Sequence, residues 1–169
     1  MSETRATAVV IGLGNPLMGD DGLGLAALAR LREQWELPAE VATVDGGTWG
    51  MNLLPLLEDA ETVVLLDAID AGRAPGELVL LEGDDVPRGL GLKLSPHQID
   101  LREVLALLEL RGTLPARLVA IGLQPERVEM SASLTPVVER RVGKVVIGAV
   151  ARLGEWGFRV VPRGVTTVA

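Results

Sequence analysis

Carboxylates stand where short apolar runs of this sequence end, and a single imidazole lies near the start of a helical stretch. Asp20 and Asp21 lie in GNPLMGDDGLG (14–24), directly after the run TAVVIGLG (7–14). Asp45 ends EVATVD (40–45). Asp67 stands near the end of the most apolar run, TVVLLDAI (62–69), with Asp70 close behind. His97 is the one histidine of the chain. Runs of this kind read as buried strands, and in an open parallel sheet ligands bind at the carboxyl ends of strands. Several carboxylates on that edge would attract a cation.

The glycine loop invites a nucleotide reading, and two residues argue against it. Gly12 and Gly14 fit the start of a dinucleotide fingerprint, but its third glycine position holds Leu17. Gly14 and Gly19 have the spacing of a phosphate-binding loop, but Asp20 follows where that loop needs lysine. A carboxylate there repels polyphosphate. The acidic pair has a plainer use at a helix start, where negative charge is favoured. That reading suits Asp20 as the cap of the next helix and leaves Asp21 to face the cleft.

His97 falls in SPHQ, which has the form of a capping box: Ser95 as cap, Pro96 at the first position, Gln98 at the third. The positive end of a helix disfavours a protonated imidazole, and the neutral form is the one that ligates metals. Two carboxylates and one imidazole suit a borderline ion such as nickel or zinc. A serine triad could be built only on His97. In DGGTWG (45–50), Gly46 and Gly47 either turn the chain or let a peptide approach.

These residues need a scaffold, and strand and helix patterns alternate along the chain. Strands are predicted at 7–14, 40–45, 62–69, 77–83 and 116–123. A helix at 23–35 has Leu25, Leu28, Leu31 and Trp35 on one face. A short helix lies within 46–59. The stretch 84–94 reads as irregular. The helix at 95–112 buries Leu101, Val104, Leu105 and Leu108. A last helix at 134–157 has Thr135 as cap, Pro136 at its first position, and Val138, Val142, Val145 and Ala149 inward. The tail holds at most a short strand. The pattern predicts a single domain over 1–169, an α/β fold: a three-layer α/β/α sandwich. Its sheet is mostly parallel with about five strands, and 77–83 is antiparallel because the turn before it is tight.

Composition narrows the function classes. The 169 residues include no cysteine, which excludes disulfides, thiolate metal sites and a cysteine nucleophile. A net charge of −7 argues against a nucleic-acid binder. No targeting segment and no membrane-length apolar run is visible, so a cytoplasmic protein with no membrane insertion is expected.

GLGNPLMGDDGLG, DGGTWGMNLL, LLDAID, SPHQIDL and LTPVVE stand in the order seen in hydrogenase maturation proteases. Over roughly residues 7 to 155 the chain resembles that family. Its members are endopeptidases that trim the C-terminal extension from the large subunit of nickel–iron hydrogenases. The resemblance implies metal contacts by Asp21, Asp67 and His97; some members have glutamate at the Asp21 position. It implies that the nickel arrives with the precursor, with no nucleotide or organic cofactor, and that it polarises the scissile carbonyl. Asp20 and Asp45 are the candidates for activating water. The expected partner is a large-subunit precursor, and the expected state is a monomer. Two other readings stand beside this one: a hydrolase with its own zinc, and a nickel-binding maturation chaperone without peptidase activity.

Overall fold

The computed structural model describes residues 7–47, 50–90 and 96–164. In chain order its elements are β1 (Ala8–Leu13), α1 (Leu23–Gln34), β2 (Trp35–Glu36), β3 (Val41–Gly47), α2 (Leu54–Asp59), β4 (Thr62–Ala68) and β5 (Leu78–Glu82). Then follow α3 (Asp85–Leu90), α4 (Pro96–Arg111), β6 (Arg117–Leu123), α5 (Pro136–Glu139), α6 (Val142–Glu155) and β7 (Val161–Pro162). Short 3₁₀ turns at Gly19–Gly22 and Gly50–Leu53 precede α1 and α2.

Five strands form one sheet in the order β3-β1-β4-β6-β5. β1 pairs in parallel with β3 and β4, and β4 with β6, while β5 runs antiparallel to β6, as its tight turn predicted. Every residue of β1 and β4 is buried. A strand covered on both faces has no solvent side to alternate with, which is why these runs are continuously apolar. β5 alternates, with Val79 buried and Leu78 and Leu80 exposed, as an edge strand does.

Two apolar layers flank the sheet. On one face Leu23, Ala27, Leu28 and Leu31 of α1 pack with Val142, Val145, Val146 and Ala149 of α6 against Val10, Val64, Leu66 and Ile121. On the other, Leu57 of α2, Val86 of α3 and Leu101, Val104, Leu105 and Leu108 of α4 cover Ile11, Leu65 and Ala120. Among the described residues no helix is long and apolar enough to cross a membrane.

The local reading needs correction in several places. α1 stops at Gln34; Trp35 is extended and pairs with Pro162, and Leu25 is only half-buried. A pairing between residues so far apart in sequence leaves no periodic trace. The last helix is two, α5 and α6, divided at Arg140–Arg141, where Arg141 leaves helical geometry and reaches the Gly76 carbonyl at 3.3 Å. The stretch read as irregular contains α3. Pro87 sits in its first turn, where its missing N–H has no intrahelical partner to lose.

Candidate active site

β1 and β4 are neighbours, yet the chain reaches their partners on opposite faces. From β1 it passes through α1 to β3 on one face, and returns to β4 through α2 on the other. Where crossovers diverge in this way they leave a crevice at the carboxyl ends of the two strands. Asp21 lies on the turn that follows β1, and Asp67 is next to last in β4. The structure thus sets these two carboxylates at the switch point. They are 2% and 1% exposed, and the 3₁₀ turn bearing Asp21 packs against β4.

The glycines of the first loop bring backbone close to backbone. Gly14 has φ of +112°, a conformation L side chains rarely adopt, and a Cβ there would fall 1.8 Å from the Asp21 carbonyl oxygen. The Asn15 N–H donates to Asp21 Oδ2 at 2.9 Å, and Asn15 Oδ1 accepts from the Leu17 N–H at 3.0 Å. Farther on, a Cβ on Gly24 would meet the Leu66 and Leu13 carbonyls at 2.1 and 2.4 Å. Glycine therefore lets the start of α1 press onto β1 and β4 together, which carries Asp21 to the crevice. A phosphate cradle would instead point such a loop's N–H groups at solvent.

Sheet alternation fixes which side Asp67 serves. Its neighbours Leu65 and Ile69 belong to the layer covered by α2 and α4. α4 packs on that same face, and Arg111 at its C-terminal end bonds Glu58 at 2.7 Å, shortly before β4 begins. The opposite end of α4, with Pro96 and His97, is therefore directed to the carboxyl edge. Pro96 opens α4, as predicted for a first helical position. The side chains of His97 and Gln98, and Ser95 as a whole, lie outside the described residues.

Asp20 has a different task from the two considered for it. It does not cap α1, and its carboxylate is fully buried. Oδ2 accepts the N–H groups of Glu126 and Arg127 at 2.8 and 3.1 Å, and Oδ1 that of Thr135 at 2.7 Å. The Thr135 hydroxyl donates to the same carboxylate, so it does not cap α5, although Thr135 occupies the cap position. With both oxygens engaged, Asp20 clasps the loop after β1 to the loop after β6 and is not placed to act as a base. Asp20→Ala would leave those backbone donors to find other partners. It is expected to lower stability by about 2–4 kcal/mol, measured as a shift in the urea midpoint.

Asp45 is exposed and sits across from Gly12 in the register of β3 with β1. Alternation gives it the face of Thr43, whose hydroxyl accepts from Arg32 of α1 at 2.8 Å. It shares the carboxyl edge with Asp67 but not the face. Gly46 is packed against Ile11, where a Cβ would lie 2.7 Å from Cγ2, and Gly47 takes φ of +44° at the bulge that ends the ladder.

Two residues escaped the sequence reading. Gly122 is the register partner of Asp67, and a Cβ there would stand 1.8 Å from the Asp67 carbonyl oxygen. Gln124, just past β6, accepts from the Ala71 and Arg73 N–H groups at 2.8 and 3.1 Å and donates to Asp70 at 3.0 Å. It holds the loop that follows Asp67. The rule that singled out strand-end carboxylates would have found Gln124 had amides been included.

Residues 26–151 match the family model HycI, hydrogenase maturation protease. The chain belongs to the hydrogenase maturation protease family. It is 42% identical over 154 residues to the hydrogenase expression/formation protein HupD of Rhodobacter capsulatus, covering 90% of this chain and 73% of that one. It is 35% identical over 156 residues to the hydrogenase 2 maturation protease of Escherichia coli K12, covering 92% and 95%. The solved structure of the maturating endopeptidase HybD from E. coli superposes with a TM-score of 0.89 at 34% identity, covering 94% of this chain and 99% of that one. The protease is thus an endopeptidase of hydrogenase maturation with the three-layer α/β architecture of its relatives.

Proposed function

We propose that the protease removes the C-terminal extension of a nickel-loaded [NiFe] hydrogenase large-subunit precursor, and that it recognises the nickel held by that precursor. Family membership supports the substrate class. The observation that carries the nickel reading is the pair Asp21 and Asp67, both buried at the switch point between β1 and β4. Burying two carboxylates is costly unless charge and hydrogen bonds compensate, and a divalent cation entering the crevice would supply the charge. The imidazole of His97, at the start of α4, is the third proposed contact. Oxygen and nitrogen donors of this kind leave coordination positions for the precursor's own ligands.

In this reading nickel polarises the scissile carbonyl as a Lewis acid. Water adds to the carbonyl carbon, the C–N bond breaks, and the released amine takes a proton. Of the two candidates for accepting the proton of the attacking water, Asp20 is engaged in the clasp. Asp45 faces solvent at the same edge but on the other face of the sheet from Asp67, so it would act through an intervening water. The direct test is incubation of the protease with a nickel-loaded precursor, followed by intact mass. The expected result is a loss equal to the extension alone. A precursor of unchanged mass, held in a stable complex, would replace this reading with a chaperone.

A further inference from the structure

The loops joined by Asp20 carry an apolar lip. Leu17, Val128 and Met130 are 63%, 47% and 89% exposed. Met18 and Ser131 form a parallel bridge, with Gly19 N–H donating to the Ser131 carbonyl at 2.8 Å and Ser131 N–H to that of Leu17 at 3.0 Å. Leu17 and Met130 each precede a bridge partner, so the bridge sets them side by side. Val128 and Met130 alternate with Arg127 and Glu129, an exposed ion pair at 3.6 Å. An apolar centre with a charged rim is the anatomy of a protein interface. The other large exposed apolar residues among those described, Leu78, Leu80, Leu110 and Ile147, lie on β5, α4 and α6.

The lip is held firmly and lies beside the site. The buried Asp20 carboxylate fastens one loop to the other, so docking would cost little loop ordering. Leu17 belongs to the same short loop as Asp21, one end of which curls back to bond that carboxylate. A polypeptide that brings a metal to Asp21 must cover this loop. We infer that Leu17, Val128 and Met130 dock an apolar segment of the large-subunit precursor, adjacent to the metal-bearing site. This rests on the processing reading above.

The test measures processing rate against concentration of nickel-loaded precursor. It compares the wild type, Leu17→Ser/Met130→Ser, and the conservative pair Leu17→Met/Met130→Leu. The serine pair is expected to raise KM about tenfold with kcat within about twofold, as loss of apolar interface anchors does. The conservative pair should match the wild type, and thermal melts should coincide because both side chains are already exposed. An unchanged KM in the serine pair, with an active wild type, overturns the lip alone. A wild type that leaves the loaded precursor intact overturns the processing reading and the lip with it. A concentration-dependent dimer that the serine pair abolishes in sedimentation would assign the lip to a second copy and overturn the proposal.

Discussion

Asp21→Ala and Asp67→Asn are each expected to slow precursor processing by roughly a thousandfold or more while leaving the fold intact, and His97→Ala to match them. The magnitude is that of removing a group which positions charge at the reacting bond. The two carboxylates come from different elements, a turn after β1 and the end of β4, and both lie where the crossovers part among the parallel strands described. If nickel is recognised there, neither carboxylate replaces the other, because each holds one side of the crevice. Folding should tolerate the changes. Asp67→Asn keeps the volume and the hydrogen-bonding shape, and it removes a buried charge whose desolvation is itself costly. Asp21→Ala gives up hydrogen bonding that includes the Asn15 N–H, at a cost of about 1 kcal/mol per bond. Circular dichroism and processing should be read on the same samples. Near-normal processing by both carboxylate variants would remove the site, since it rests on this pair.

Much of this arrangement was legible in the residues. Continuous apolar runs gave the central strands, and Asp67 stands out because the five residues before it, from Thr62 to Leu66, carry no charge. The α4 face and the inward valines of α5 and α6 followed from helical spacing. Other features were not legible because they depend on partners distant in sequence. Asp20 looked like a local cap, as an acidic residue before a helix does. Its partners are Glu126, Arg127 and Thr135, more than a hundred positions away. Local preference is weak where a buried carboxylate can find several N–H donors on another loop, and the donors won. Trp35 failed for the same reason, its strand partner being Pro162. Gly122 reads in sequence as a gap in a strand, and only the approach of the Asp67 carbonyl shows why no side chain fits. Of the acidic pair, then, Asp20 builds the frame and Asp21 is the one left to the proposed site; the sequence reading made that division, with a helix cap in place of the clasp.

Only the nickel-loaded precursor is expected to be cut, with the nickel-free form slower by at least about a hundredfold. The proposed contacts are two carboxylates and one neutral imidazole, a net negative set. A peptide without metal offers these charges no counterion, and covering buried carboxylates with it would remove what hydration they have. A nickel-bearing precursor compensates those charges and brings the electrophile in the same encounter, so recognition and activation share one cause. The lip at Leu17 and Met130 would contribute affinity to both forms alike. It therefore cannot by itself discriminate between them, since equal affinity for two states separates nothing. The experiment compares nickel-free precursor, the same precursor after loading, and loaded precursor with the extension deleted, all at saturating concentration. Binding of the nickel-free form without cleavage is the expected pattern: the lip engages and the crevice does not. Equal cleavage of the free and loaded forms would mean that the precursor is read by its side chains alone, and the metal roles of Asp21, Asp67 and His97 would have to be withdrawn together.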